Sequence, residues 1–305
     1  MTPNRLVFAT RRSLLALAQS RAFAARLGAA HAHLDVQELH VVTTGDRIQD
    51  RPLKDIGGKG LFVKEIEKAL LDGQADFAVH SIKDVPGQPA PGLRLACIPA
   101  REDPRDAFFS RSGQRLEDVA PNTRVGTSSL RRQVMVARAR PDLAFAPLRG
   151  NVDTRMRKVR EGVVDATVLA CAGLRRLDKL DEATQLLEPE VSLPAVGQGA
   201  LGIECREDDT RTLELVSALH DAETATAVAA ERGVMIAAEG SCQVPIAAFA
   251  KRTGGDALWL RAMLAKPDAA GAVFVEDTIP WPSTEQQAEE LSKELGIRLR
   301  ERVFG

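Results

Sequence analysis

Three short runs of the sequence carry residue types that can do chemistry. The first holds Cys242 among small residues, and a thiol in an exposed turn is open to covalent attachment, whereas a strand-borne thiol is commonly a buried hydrophobe. The second places Lys83 beside Asp84 at the end of an apolar strand, and the third places Arg149 and Arg155 after another strand. An attachment point, an acid/base pair and an arginine cluster together predict an enzyme that tethers a polyanion.

The elements that must position these residues alternate between strand and helix. Runs 6–10 and 123–127 each lead into a helix that opens at a serine, a natural N-cap residue. Gly73 and Gly162 each end a charged helical stretch before a short apolar strand. This repeated alternation predicts two α/β domains with largely parallel sheets and a cleft between them.

After residue 220 the sequence changes from alternating strands and helices to an Ala-rich helix followed by three strands, which predicts a third domain. Its expected elements are a helix to residue 239, strands at about 244–251, 257–264 and 272–279, and a final helix after the capping sequence 283–286. Pro- and Gly-bearing breaks at 99–104 and 193–199 separate the two α/β segments, and a short strand is expected at 201–205. The segment from 221 to 305 is expected to form a small α+β domain with a three-stranded sheet.

Polar residues follow several of the predicted strands. Ligands bind at the carboxyl ends of strands in open α/β sheets, where helix N-termini supply free N–H groups. The residues placed there are Arg11, Ser13, Lys83, Asp84, Ser128, Ser129, Arg131, Arg132, Arg149, Arg155, Arg175 and Arg176. Any one of these arginines alone is typical of a solvated surface. Their repeated placement predicts a ligand with several carboxylates or phosphates.

The bulk composition excludes some alternatives. Lys and Arg number 41 against 42 Asp and Glu, so no global field favours nucleic acid or an anionic membrane. Aromatic residues make up 4% of the chain, which leaves few stacking platforms for single strands. The four cysteines form no CxxC pair and the N-terminal apolar run is too short for a signal peptide, so we expect a cytoplasmic protein without a metal site or a membrane span.

Two further segments have an ordinary and a chemical interpretation. The run Gly57-Gly58-Lys59-Gly60 lacks the spacing of a phosphate-binding P-loop, so we interpret it as a flexible lid near the site. His80 ends an apolar strand, where a histidine is commonly a packed structural residue. Asp84 is therefore the stronger acid/base candidate.

These runs resemble the hydroxymethylbilane synthase (porphobilinogen deaminase) family along essentially the whole chain. The matching motifs are Ala9-Thr10-Arg11-x-Ser13, 57–62, His80-Ser81-x-Lys83-Asp84, 103–106, Gly126-Thr127-Ser128-Ser129-x-Arg131-Arg132, Arg149-Gly150-Asn151-Val152-x-Thr154-Arg155, 197–200 and Cys242-Gln243-x-Pro245. One departure is that Ser241 replaces the second glycine of the family's Gly-Gly-Cys.

The resemblance implies a monomeric cytoplasmic enzyme of tetrapyrrole (haem) biosynthesis that condenses four porphobilinogen molecules into hydroxymethylbilane and releases ammonia. It implies that Cys242 carries a dipyrromethane cofactor through a thioether, that catalytic Asp84 stabilises an azafulvene cation, and that Lys59 belongs to the lid. The fold that it implies is two α/β domains resembling periplasmic binding proteins, of residues 1–99 with 195–220 and of residues 100–194, and a cofactor-attachment α+β domain of 221–305. The strand at 201–205 is then expected to return to the first domain. The implied cofactor- and substrate-binding residues are Arg11, Ser13, Lys83, Thr127, Ser128, Ser129, Arg131, Arg132, Arg149, Gly150, Arg155 and Arg176.

Two other classes of protein use similar features. A non-catalytic protein that binds a small anion would share the two-domain architecture, but it would need neither Cys242 nor the Lys83–Asp84 pair. A nucleic-acid-binding regulator would use the arginines, but the balanced charge and sparse aromatic residues oppose it.

Overall fold

The computed structural model describes residues 4–44, 63–239, 244–268 and 271–305. The chain forms two compact units. Unit 1 consists of Met1–Arg101 and Ala200–Ala225, and unit 2 of Glu102–Gly199 and Thr226–Gly305.

Unit 1 is built on a five-stranded mixed sheet. Its strands are β1 (Arg5–Thr10), β2 (Asp35–His40), β3 (Phe77–Ser81), β4 (Leu93–Cys97) and β10 (Leu201–Arg206), in the order β2-β1-β3-β10-β4. Strand β1 pairs in parallel with β2 and β3, whereas β10 runs antiparallel to β3 and β4. The carboxyl ends of β1 and β3 therefore meet at one edge of the sheet.

Helices cover both faces of this sheet. They are α1 (Leu14–Ala30), α2 (Lys64–Leu71) and α6 (Thr210–Ser217). The Phe77 ring packs against Phe23 of α1 at 5.7 Å and against Phe8 of β1 at 5.8 Å between centroids. Ile66 and Leu70 of α2 belong to the cluster on the other face. This aromatic and aliphatic burial fixes the strands whose ends carry Arg11 and Asp84.

Unit 2 contains a second five-stranded mixed sheet. Its strands are β5 (Asp106–Ser110), β6 (Arg124–Gly126), β7 (Ala144–Ala146), β8 (Ala166–Ala170) and β9 (Gln185–Leu187), in the order β7-β6-β8-β5-β9. Strand β6 is parallel to β7 and β8, and β5 is antiparallel to β8 and β9. The accompanying helices are α3 (Leu130–Ala139), α4 (Val152–Arg160) and α5 (Cys171–Arg175).

An antiparallel three-stranded sheet completes unit 2. Its strands are β11 (Ile246–Thr253), β12 (Ala257–Leu264) and β13 (Val273–Pro280), and it packs with α7 (Ala222–Ala237) and α8 (Glu285–Phe304). Thr284 caps α8 by accepting from the Gln287 backbone N–H at 3.1 Å. On this sheet Ala247 and Met263 form a buried cluster with Val134 and Met135 of α3. The small sheet thus packs against the helix whose first turn holds Arg131 and Arg132.

The predicted fold class is confirmed. Two α/β sheets, a small α+β sheet and the return of the strand near residue 201 to the first sheet are all present. The strands at 93–97, 106–110 and 185–187 were not predicted, and the antiparallel β5 and β10 make both sheets mixed rather than largely parallel. Strand β5 escapes a hydrophobicity pattern because it follows a Pro-containing charged run and opens with Asp106. The three-domain boundaries stay a prediction.

Candidate functional site

The edge of the unit 1 sheet brings four predicted residues to neighbouring strand ends. Arg11 directly follows β1, and Ser13 caps α1 by accepting from the Ala16 backbone N–H at 3.4 Å. Lys83 and the exposed Asp84 lie in a 3₁₀ turn that directly follows β3. Because Ser13 uses its hydroxyl oxygen as the acceptor, its hydroxyl proton stays available for a ligand carboxylate.

Buried neighbours hold the turn that carries Asp84. Ile82 is 1% exposed, and its backbone N–H donates to the Ala200 carbonyl at 3.1 Å. Gln19 of α1 is also buried and donates to the Ser81 hydroxyl at 3.1 Å, which joins the helix to the end of β3. Gln19 was not predicted as part of the site, because a helical pattern does not indicate a hydrogen-bond partner 62 residues away in the chain.

His80 lies inside unit 1. Its side chain is 7% exposed and its Nε2 lies 3.0 Å from the Glu204 carboxylate, which is itself 1% exposed. The interpretation of His80 as a packed residue is confirmed, and the exposed carboxylate of this strand end is Asp84.

In unit 2, the loop between β6 and α3 is held by its own hydroxyl groups. The Thr127 hydroxyl accepts from the Ser129 backbone N–H at 3.1 Å, and the Ser129 hydroxyl caps α3 by accepting from the Arg132 N–H at 3.4 Å. Ser128 donates its hydroxyl proton to the Leu148 carbonyl at 3.0 Å. Ser129 therefore repeats the arrangement of Ser13, whereas the Ser128 hydroxyl is already committed within the loop.

The next strand end of unit 2 carries Arg149, Gly150 and Arg155. Asn151 caps α4 through an Oδ1 that accepts from the Thr154 N–H at 2.9 Å, and Gly150 adopts a φ of 117°, where a side chain would overlap Thr154. Arg155 donates from Nε to the Gly150 carbonyl at 2.8 Å. The turn thereby directs the guanidinium of Arg155 towards the strand end.

Arginines crowd this edge of unit 2. Burial, together with the nearby positive charges of Arg132 and Arg149, lowers the pKa of Arg155 to about 10. Burial also lowers the pKa of Arg176, whose Nη2 donates to the Gly199 carbonyl at 2.8 Å. A partly buried cation beside further cations is typical of a site for an anion.

Arg131 and Arg132 are each 6% exposed and share one buried carboxylate. Asp106 accepts from Arg132 Nη2 at 2.7 Å and contacts Arg131 Nη1 at 2.9 Å. The two guanidinium groups hold the pKa of Asp106 below its ordinary value despite the cost of burial. The sequence analysis did not propose Asp106 as a site residue, although a carboxylate opening an apolar strand is a signal for a buried ion pair.

Two predicted residues, Cys242 and Lys59, lie outside the described residues. Unit 1 gathers Arg11, Ser13, Lys83 and Asp84 at one sheet edge, and unit 2 gathers the remaining predicted residues at another. Within residues 4–44, 63–239, 244–268 and 271–305, no group of three or more His, Cys, Asp or Glu is placed to hold a metal ion. Across those same ranges no helix has the length and hydropathy to cross a membrane.

Comparison with known proteins decides the family. A family model of the dipyrromethane cofactor binding domain of porphobilinogen deaminase matches residues 6–214, and a model of the C-terminal domain of porphobilinogen deaminase matches residues 225–301. The chain belongs to the porphobilinogen deaminase family. The family predicted from the motifs is thereby confirmed.

Two relatives show how close this membership is. The porphobilinogen deaminase of Sorangium cellulosum is 60% identical over 98% of this chain and 99% of its own length. That of Syntrophotalea carbinolica is 48% identical over 94% of this chain and 90% of its own. Among solved structures, an arginine-specific periplasmic binding protein of Salmonella typhimurium covers 70% of this chain and 91% of its own, with 11% identity and a TM-score of 0.39.

Proposed function

We propose that this chain condenses four porphobilinogen molecules head to tail into hydroxymethylbilane on a dipyrromethane joined by a thioether to Cys242. Family membership makes the chain a transferase of tetrapyrrole synthesis. The observation that carries the assignment of the site is the arginine cluster of unit 2, where Arg132 and Arg149 lie near enough to Arg155 to lower its pKa.

The residues at the strand ends fit a dipyrromethane. Each pyrrole of such a group carries an acetate and a propionate, and the guanidinium groups of Arg132, Arg149 and Arg155 match carboxylates in charge and fork geometry. The N-cap serines Ser13 and Ser129 each keep a hydroxyl proton for a carboxylate oxygen. The dipyrromethane supplies the free α-carbon at which the first porphobilinogen is added.

Asp84 is assigned the acid/base work. In each condensation a carbon–carbon bond forms between the aminomethyl carbon of porphobilinogen and a free pyrrole α-carbon, while the carbon–nitrogen bond of the aminomethyl group breaks. The α-carbon loses its hydrogen as a proton, which balances the proton that the departing amine takes up to leave as ammonia. The exposed Asp84 carboxylate accepts a hydrogen bond from a pyrrole N–H and stabilises the positive charge left as ammonia departs. Lys83 beside it binds a substrate carboxylate. Such electrostatic stabilisation contributes about 10²–10³-fold in rate at comparable sites.

The other three thiols are poor attachment points. Cys97, Cys171 and Cys205 are buried and form no disulfide with one another. Burial raises the pKa of Cys171 to about 12 and that of Cys205 to about 11, so both stay protonated and unreactive near neutral pH. This leaves Cys242 as the thiol for the thioether.

The remaining assignments follow the same proposal. Arg11, Ser13, Lys83, Thr127, Ser128, Ser129, Arg131, Arg132, Arg149, Gly150, Arg155 and Arg176 bind the carboxylates, and Lys59 belongs to the lid. A third domain at 221–305, supported by its separate sheet, presents Cys242. The enzyme acts as a cytoplasmic monomer, for which light scattering of the purified chain is the test of oligomeric state.

The test of the tether is the intact mass of the purified chain beside its Cys242→Ser variant. We expect an excess of one dipyrromethane in the parent and its loss in the variant, together with loss of hydroxymethylbilane formation. A bare parent mass that persists after incubation with porphobilinogen would return the protein to the class of non-catalytic anion binders.

A further inference from the structure

Two motifs of unit 2, the 103–106 run and the 197–199 run, are not explained by direct contact with substrate. The structure packs them against each other: Gln198 donates from Nε2 to the Pro104 carbonyl at 2.7 Å and to Asp106 Oδ1 at 3.0 Å. The Glu102 backbone N–H donates to the Gly199 carbonyl at 3.3 Å. We call Glu102, Pro104 and Asp106, together with residues 197–199, the arginine platform.

The platform surrounds one carboxylate that is fully buried. Asp106 is 0% exposed, and its backbone is fixed in the sheet by pairing with Ala170 of β8 and Leu187 of β9. The Asp106 carboxylate accepts a hydrogen bond from the Ser192 hydroxyl at 2.8 Å as well as the one from Gln198. A carboxylate that is fastened at both backbone and side chain presents a fixed charge rather than a mobile one.

That fixed charge governs the orientation of two guanidinium groups. Arg132 donates to Asp106 from Nε at 3.1 Å and from Nη2 at 2.7 Å, and to the Val168 carbonyl from Nη1 at 2.9 Å. Arg131 Nη1 lies 2.9 Å from Asp106 and 2.6 Å from the Leu193 carbonyl. Among the described residues these bonds leave N–H groups on both terminal nitrogens of Arg132, which has five donors in all.

We propose that Asp106 is a positioning residue, which orients Arg131 and Arg132 so that their remaining N–H groups meet the carboxylates of the primer and of the growing chain. Its charge also offsets one of the two arginine charges, so the three side chains present one net positive charge. The same platform orients Arg176 through the Gly199 carbonyl. This role rests on the proposed function, since it needs Arg131 and Arg132 to bind carboxylates.

The chain offers a matched control in the same motif. Asp103 is a half-buried carboxylate, and it accepts from Arg105 at the backbone N–H, Nε and Nη2, at 2.8–3.2 Å. Arg105 is not among the residues assigned to the site. Asp103→Asn therefore makes the same chemical change near Asp106 and breaks a partly exposed ion pair, but leaves Arg131 and Arg132 in place.

The experiment compares Asp106→Asn with Asp103→Asn in the full chain, by intact mass for the fraction carrying dipyrromethane and by steady-state kinetics with porphobilinogen. We expect Asp106→Asn to lower the loaded fraction and to raise KM by about tenfold or more, as misplacing a binding group does. For Asp103→Asn we expect a KM within about twofold of the parent, because the site arginines keep their partner.

Ser192→Ala serves if Asp106→Asn does not fold, because it removes one hydrogen bond to Asp106 and keeps both charges. We expect a KM about threefold higher, as for a weakened positioning contact. Equal loaded fractions and equal KM in the Asp106 and Asp103 variants, or an unchanged KM in Ser192→Ala, would overturn the positioning role while the parent stays active. A parent that neither carries the primer nor consumes porphobilinogen would instead overturn the proposed function, and the positioning role with it.

Discussion

We expect Arg155 to lower the free energy of unfolding of the chain that lacks the dipyrromethane primer. Its pKa falls from 12.5 to about 10, because burial and the charges of Arg132 and Arg149 disfavour the cation. Because the pKa of Arg155 is lower in the folded state than in the unfolded state, the destabilisation is complete at neutral pH. It becomes smaller only as the pH rises from about 10 towards 12.5. At ~1.4 kcal/mol for each pKa unit, the upper bound is about 3 kcal/mol.

Replacing Arg155 by Gln removes the repulsion and also removes the hydrogen bond to the Gly150 carbonyl. That bond contributes about 1 kcal/mol, so a net gain of ~1–2 kcal/mol is expected in a chain that lacks the primer. When the primer is attached, its carboxylates already offset the repulsion, and the gain should shrink or reverse. Urea unfolding of Cys242→Ser with and without Arg155→Gln, and of the loaded chain with and without the same change, measures both effects.

Arg157→Gln is the matched control. Arg157 lies on the same helix, is exposed, and pairs with Glu161 at 2.8 Å. An exposed pair of this kind contributes about 0.3–0.5 kcal/mol, so this change should destabilise slightly whether or not the primer is present. If Arg155→Gln destabilised the primer-free chain as much as Arg157→Gln does, the repulsion argument would be wrong.

Three further outcomes test other parts of the structure. Asp84→Ala should lower turnover by about 10²-fold or more yet leave the dipyrromethane mass excess in place, and near-normal turnover would remove its catalytic assignment. Cys242→Ser, treated natively with a thiol reagent at pH 8, should show no fast-reacting thiol, because Cys97, Cys171 and Cys205 are all buried. Burial also raises the pKa of Cys171 to about 12 and that of Cys205 to about 11, and rapid labelling of any of the three would contradict this. Gly199→Ala should lower the free energy of unfolding, measured in urea, by about 2–4 kcal/mol, because the φ of Gly199 is 90° and a Cβ would overlap the Glu102 carbonyl. The control is Gly113→Ala, which should lower it by only about 1 kcal/mol, because Gly113 has a φ of 73° but open space around it.

The local signals of the sequence predicted the parts of the fold that local chemistry decides. Ser13, Ser129 and Thr284 cap the helices that were expected to open near them, and the strands at 257–264 and 201–206 lie where the pattern placed them. N-cap hydrogen bonds and alternating hydrophobicity act over a few residues, so they are legible in one sequence. The placement of Arg11, Lys83 and Arg149 just past strands could be predicted for the same reason.

Contacts between distant segments could not be predicted in this way. Asp106 acts on Arg131 and Arg132 and is held by Ser192 and Gln198, at separations of up to 92 residues. Whether a strand such as β5 joins a sheet antiparallel also depends on which neighbours it meets, and its charged first residue hides it from a hydrophobicity pattern. The motif at 103–106 was visible, but its partners were not.

The net charge of the chain does not reveal the anion site, so the site is inferred from where the arginines lie and not from their number. A net charge of −1 gives no sign of an anion site, yet unit 2 holds Arg132 and Arg149 close enough to Arg155 to disfavour its charged form, in addition to the effect of burial. Asp106 is the described carboxylate that meets this cluster directly, and it is committed to Arg131 and Arg132. One fixed carboxylate among several cations gives direction to the guanidinium groups and still leaves positive charge for a ligand. The same arrangement explains why Asp106→Asn is expected to impair binding although it makes the site more positive, because geometry rather than total charge limits the contact with a carboxylate.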